Sequence, residues 1–179
     1  MDQGTLIHEV IEKLYSPFKQ IDLELKHIEK MSRNIDNQIT ESFIDLYSKK
    51  PEGKNLIFLE IVKDYITNIL NFEKEQLNND NAHIKILSLE ERLSSEITVN
   101  NKTVKINGII DRIDLFNGKL RVIDYKSGLV NPSILDIKNL HKIKLDYRYS
   151  NLLQLLIYKL LVSNNYKNLD IGQIGIYSV

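Results

Sequence analysis

Asn117-Gly118 sits between two apolar-rich runs, Thr103–Leu115 and Lys119–Lys126. Asn-Gly in this setting predicts a β-hairpin closed by a two-residue type I′ turn, because both central residues must take positive φ. Such a turn fixes every later pair, since partner numbers keep a constant sum. Phe116 then faces Lys119, Leu115 faces Leu120, Asp114 faces Arg121, Ile113 faces Val122 and Arg112 faces Ile123. Continued further, the register sets Asp111 opposite Asp124 and Ile109 opposite Lys126. One face gathers Leu115, Leu120, Ile113 and Val122, and the other gives Asp114 a cationic cross-strand partner in Arg121. A slip of one residue loses both features.

The same register puts two carboxylates side by side on the apolar face. Directly opposed residues have Cβ atoms roughly 4.5–5.5 Å apart. Two ionised carboxylates there repel, and each pays to leave water. Either one binds a proton or a cation sits between them. Mg²⁺ or Mn²⁺ suits paired carboxylate oxygens. Lys126 follows Asp124 by two residues and shares its face, so it places positive charge beside such an ion. The plain alternative is an internal ion-pair cluster in which Lys126 neutralises one aspartate.

The rest of the chain sets this hairpin in an α/β frame. Thr5–Tyr15 has helical apolar spacing, and Pro17 stops it. Ile21–Met31, Asp36–Tyr47 and Leu56–Leu77 read as three more helices, with Pro51-Glu52-Gly53 a break. After Asn78–Asn81 the period changes from helical to alternating. Ile84–Leu93, Glu96–Val99, Thr103–Leu115 and Lys119–Lys126 read as strands, with Asn100-Asn101 a turn. Asn131-Pro132 opens a short helical segment. Ser150–Asn164 reads as a helix with Ser150 as its N-cap, and Ile171–Ser178 as a last strand. One sheet with helices packed on it follows.

Composition narrows the chemistry. Lys and Arg number 24, as do Asp and Glu, so nothing global draws the chain to nucleic acid and any such site is local. There is no cysteine, which excludes disulfides, thiolate zinc sites, cysteine-held iron–sulfur clusters and a cysteine nucleophile. That absence fits a cytoplasmic setting. No apolar run reaches the roughly 18 residues of a membrane span. The start lacks the basic and apolar regions of a secretory signal.

Gly108-Ile-Ile-Asp111-Arg-Ile-Asp114, followed by Val122-Ile-Asp124-Tyr-Lys126-Ser-Gly128, resembles the nuclease domain of the RecB/AddB branch of the PD-(D/E)xK superfamily. Ser127 stands where that branch usually has threonine. Gln154-Leu-Leu-Ile-Tyr158 resembles its Q-x-x-x-Y helix, and Gly4-Thr-Leu-Ile-His8-Glu its N-terminal helix. These four elements, in order across nearly the whole chain, make the match specific.

The resemblance implies a restriction-endonuclease-like core, a central mixed β-sheet flanked by helices, with an N-terminal helical section. It divides one nuclease domain, 1–179, into a section over 1–80 that carries His8 and a core over 81–179, as a piece of a longer protein. It implies that His8, Asp111, Asp124 and the backbone carbonyl of Tyr125 hold Mg²⁺ or Mn²⁺. By the same likeness Lys126 orients or activates the attacking water, and Gln154 and Tyr158 support the lysine and the DNA backbone. The implied reaction is metal-dependent hydrolysis of DNA phosphodiesters, exonucleolytic at DNA ends, within a helicase–nuclease that repairs double-strand breaks. Many relatives carry a four-cysteine iron–sulfur cluster, which this chain lacks. No P-loop is present, so a helicase motor belongs to another domain or a partner chain.

Other readings remain beside this one. A non-catalytic DNA-binding or subunit-docking module could keep the same fold, although Asp124, Lys126 and Gln154 all stand. A hydrolase of small phosphoesters would have an enclosed pocket in place of an open groove. Taken singly, His8 is more commonly a structural histidine, and Gln154 with Tyr158 a polar core edge. Arg112 and Asp114 read as structural. Glu90 and Glu91, at the end of an earlier strand, could add a carboxylate near the metal, but surface glutamates are commoner and both are left out of the metal site. Lys138, His141, Lys142, Lys144 and Arg148, with Tyr147 and Tyr149, form a basic segment suited to phosphates and single-stranded bases. A solvated charged loop is an equal reading of it.

Overall fold

The fold comes from a computed structural model that describes residues 2–79, 82–136, 143 and 146–178. Three helices come first: α1 (Gln3–Tyr15), α2 (Leu25–Tyr47) and α3 (Lys54–Asn79). Three strands follow, β1 (Ile84–Val99), β2 (Lys102–Phe116) and β3 (Lys119–Lys126), and then α4 (Ser150–Asn165) and β4 (Ile171–Ser178). The sheet has four strands in the order β1-β2-β3-β4. β1, β2 and β3 form an antiparallel meander, and β4 lies parallel to β3 after the α4 crossover.

Local chemistry explains the helix ends. Asp2 caps α1 by accepting from the Gly4 N–H at 3.0 Å and the Thr5 hydroxyl at 2.8 Å. Leu6, Ile7, Val10, Ile11 and Leu14 form its buried stripe. Glu24 and His27 close a capping box at the start of α2, and Ser48 ends it in the left-handed conformation, φ 53°. The two helices expected over Ile21–Met31 and Asp36–Tyr47 are one. Residues 32–35 hold no glycine or proline, and Ile28, Met31, Ile35 and Ile39 continue one buried stripe through the join. The same holds for Ile84–Leu93 and Glu96–Val99, which β1 spans unbroken, with Ser94 and Ser95 paired to Asn107 and Ile106. Ser150 is not the cap of α4. A 3₁₀ turn over Tyr147–Tyr149, capped by Asp146, runs straight into the helix, so Ser150 is already helical.

Asn117 and Gly118 take φ 51° and 80°, as the type I′ turn requires. The paired residues of β2 and β3 run from Arg112–Ile123 to Phe116–Lys119 in the expected register. Asn100 and Asn101 also take positive φ, 49° and 61°, at the β1–β2 turn.

Helices cover both faces of the sheet. On one, α1–α3 pack over Ile84, Ile86, Leu89, Ile123 and Tyr125. On the other, Tyr158, Leu161 and Val162 of α4 pack over Leu93, Ile110, Ile113, Leu120 and Val122. Gly108 lets α4 approach, since a Cβ there would lie 2.8 Å from Leu161 Cδ1. The segment after α1 bonds along β1, Gln20 N–H to the Ile86 carbonyl at 2.8 Å and Leu23 N–H to that of Ile84 at 2.7 Å. No helix among the described residues is long and apolar enough to cross a membrane.

Candidate active site

The site forms where the β2–β3 ladder gives way. Asp111 and Asp124 lie one position beyond the last ladder pair, Arg112–Ile123. There a side chain replaces the backbone as acceptor: Asp111 Oδ2 takes the Tyr125 N–H at 2.7 Å. Asp111 and Asp124 are both buried.

His8 reaches this point from α1. Its Nε2 lies 3.2 Å from the Tyr125 carbonyl, and its Nδ1 lies 2.9 Å from Glu90 Oε1 and 3.7 Å from Asp111 Oδ1. Ligand atoms of His8, Glu90 and Asp111 all fall within 4.8 Å of one another. Asp124 faces a different set. Lys126 Nζ stands 2.9 Å from its Oδ1 and 2.8 Å from its Oδ2. Gln154 Nε2 also donates to Asp124 Oδ1, at 2.9 Å, and to the Tyr158 hydroxyl at 2.8 Å. The expected residues therefore gather in two adjoining groups, His8 with Asp111 and the Tyr125 carbonyl, and Asp124 with Lys126, Gln154 and Tyr158.

Glu90, left out of the metal site on sequence grounds, stands within it in the structure as a neighbour of His8 and Asp111. It holds a left-handed conformation, φ 47°, unusual for a residue with a long side chain. It falls between the pairs Leu89–Arg112 and Glu91–Ile110. Strained backbone of this kind persists where surrounding structure enforces it. The signal in the sequence is a doubled glutamate, Glu90-Glu91, directly after the apolar-rich stretch Ile84–Leu89. Glu91 has a separate task. It accepts from the Ser88 and Tyr166 hydroxyls and ties β1 to the end of α4.

The electrostatics show crowded negative charge. Burial raises the Asp111 pKa to about 6; His8 and the Tyr125 N–H oppose this, while the charges of Asp124 and Glu90 add to it. Burial also raises Asp124, against the Lys126 hydrogen bond and charge. For His8, burial acts downward, yet the Glu90 hydrogen bond and the charges of Asp111 and Glu90 overcome it and carry the imidazole to about 9. With both ring nitrogens against acceptors, His8 is held as the cation that balances these carboxylates. A hard divalent ion would fit the same donor set of carboxylates, carbonyl and imidazole by displacing a proton from the His8 ring.

The basic segment contributes less. Lys138, His141, Lys142 and Lys144 lie outside the described residues. Arg148 is exposed and its Nη2 pairs with Asp146 Oδ2 at 2.6 Å.

Residues 1–178 match the family model of the PD-(D/E)XK nuclease superfamily. The chain belongs to that superfamily. Its four-stranded mixed sheet, flanked by helices and preceded by a helical section, is the fold expected of the family. Among curated relatives, an ATP-dependent helicase/deoxyribonuclease subunit of Streptococcus agalactiae serotype Ia is 35% identical over 130 residues, 69% of this chain and 10% of that protein. The protein of the same name from Streptococcus uberis is 29% identical over 136 residues, 75% of this chain and 11% of that protein. The chain thus spans about a tenth of the length of the curated relatives it matches. The crystal structure of SSO0001 aligns with 99% of this chain and 72% of its own at 19% identity, with a TM-score of 0.28.

Proposed function

We propose that this PD-(D/E)XK chain hydrolyses phosphodiester bonds of DNA, acting as an exonuclease at DNA ends beside a helicase motor carried on another part of a longer protein or on a partner. The observation that carries the reading is the convergence of His8, Glu90 and Asp111 within 4.8 Å next to an Asp124–Lys126 pair. Hard oxygen and nitrogen donors with a lysine beside them suit a Mg²⁺- or Mn²⁺-assisted attack of water on phosphate.

In this reading His8, Glu90, Asp111 and the Tyr125 carbonyl hold the cation, with Asp124 and its partners beside them. A bound divalent ion would offset negative charge at the phosphate and lower the pKa of water. The protein's own groups do the rest. Asp124 holds the Lys126 ammonium through both carboxylate oxygens, so the lysine stays where attacking water and phosphate must meet. Lys126 orients that water and offsets charge that grows on phosphate oxygens in the transition state. Gln154 fixes Asp124, and its bond to Tyr158 fixes Gln154. A bound cation and the Lys126 ammonium would both offset the repulsion between DNA and the acidic cluster.

The test is degradation of linear single-stranded DNA by the purified chain with Mg²⁺ or Mn²⁺, against EDTA and an Asp124→Ala control. Metal-dependent cleavage that the substitution abolishes is the expected result. If wild type binds metal but cleaves nothing, even with a helicase-bearing partner added, the fold serves as a docking module and the reading fails.

A further inference from the structure

On the face packed by α1 and α3, four charged side chains are buried together. Glu73, Arg112 and Asp114 are fully buried and Arg121 is 4% exposed. Arg112 Nη1 binds Glu73 Oε1 at 2.5 Å, Arg112 Nε donates to Asp114 Oδ2 at 2.8 Å, and Arg121 donates to both oxygens of Asp114. The formal charges cancel. Apolar side chains of equal volume are often as stable as such a cluster or more so, so stability alone does not account for it.

Its connections offer another account. On β2, Arg112 follows Asp111 directly. On β3, Tyr125 stands between Asp124 and Lys126, and its hydroxyl accepts from Arg112 Nη1 at 3.3 Å. On α1, Tyr15 lies seven residues after His8, hence on the same side of the helix about two turns on. The Tyr15 hydroxyl donates to Glu73 Oε2 at 2.6 Å, and its ring lies under the Arg112 guanidinium, 4.8 Å from centroid to Cζ. Each element that supplies His8, Asp111 or the Tyr125 carbonyl is therefore tied down here. Glu73, on α3, grips two of these ties at once, one with each carboxylate oxygen.

We infer that Glu73 is a positioning residue for the cation site. Through Tyr15 it sets the axial position of α1, and so of His8. Through Arg112 it sets the strand position of Asp111 and, by way of the Tyr125 ring, that of the carbonyl facing His8. The inference rests on the reading of His8, Glu90 and Asp111 as cation ligands. Groups that hold ligands in place typically govern metal affinity by about 10–100-fold.

The test uses the purified chain, Mn²⁺ binding followed by electron paramagnetic resonance, and the His8 ring resonances followed by NMR without metal. Glu73→Gln keeps the shape but weakens the grip, and Tyr15→Phe removes one hydroxyl. Each should weaken Mn²⁺ binding by about 10-fold and move the His8 resonances, with the far-ultraviolet circular dichroism of the folded chain retained. Should Glu73→Gln fail to fold, Tyr15→Phe carries the test alone. Folded Tyr15→Phe with wild-type Mn²⁺ affinity and unmoved His8 resonances overturns the inference. Wild-type Mn²⁺ binding that Asp111→Asn leaves intact, or no binding at all, overturns the ligand assignment instead, and this inference with it.

Discussion

His8 Nε2 and the carbonyl oxygen of Tyr125 lie 3.2 Å apart across 117 residues of sequence. The other ring nitrogen meets Glu90 at 2.9 Å. One imidazole thus joins the helical section to two strands, between oxygens that also suit a divalent ion. Glu90→Gln or Asp111→Asn should weaken Mn²⁺ binding by at least the roughly 10–100-fold seen for groups one shell further out. Titration calorimetry checks this, and unchanged affinity in both variants removes them from the ligand set.

Lys126 is expected to act on the reaction rather than on the ion. Its ammonium is held by Asp124 at 2.8 Å, beside the His8–Glu90–Asp111 group rather than within it. Lys126→Met should lower DNA cleavage by roughly 10²–10³-fold, the usual worth of a group aimed at charge that develops in the transition state. Mn²⁺ affinity should stay near that of wild type. Equal loss of both would make the lysine a structural counter-ion.

Gln154 has two bonds and Tyr158 receives one of them. Gln154→Ala should therefore cost more cleavage than Tyr158→Phe, which keeps the ring over Gly108. Steady-state kinetics on single-stranded DNA would order them. A Tyr158→Phe defect larger than the Gln154→Ala defect would point instead to a direct role for the hydroxyl.

Gly108 has a structural task that can be read as stability. A Cβ there meets Leu161 Cδ1 at 2.8 Å, with the Tyr158 ring 3.6 Å away. Gly108→Ala should destabilise the fold by about 1–3 kcal/mol through overpacking between β2 and α4. Urea unfolding measures it, and a neutral result would mean that α4 yields freely.

Chelation should separate fold from chemistry. Two clusters of buried apolar side chains, one on each face of the sheet, supply the core. EDTA should therefore stop cleavage and leave thermal unfolding nearly unchanged. A collapse of the unfolding temperature would mark the ion as structural.

Much of this arrangement could be read from the residues, and the failures have physical causes. Asn117-Gly118 dictated the β2–β3 register because a two-residue turn leaves no freedom in pairing. That Asp124 and Lys126 share a face, and Gln154 and Tyr158 another, follows from their spacing on one strand and one helix, and the fold puts the two pairs in contact. The place of Glu90 does not follow in this way, since it depends on a left-handed backbone that neighbouring strands impose. Glu73 was hidden for a different reason. It sits at a core position of α3 beside Ile66, Ile69 and Leu70, and only the fold reveals the arginine that makes such a position tolerable. The division of Asp111 and Asp124 between two sets of partners was likewise invisible, because local register cannot tell where a ladder gives way.

The long separation between His8 and Tyr125 has a consequence for the order of assembly. Asp111, Asp124 and Lys126 arrive together on a meander with two-residue turns, where contacts form early because little chain must be closed. The helix bearing His8 must dock across a far longer span before it can meet them. Bringing the imidazole to the acids and the lysine therefore closes far more chain than bringing the acids and the lysine together. The acids and the lysine are joined by local closure, and the imidazole is joined to them only across the long span.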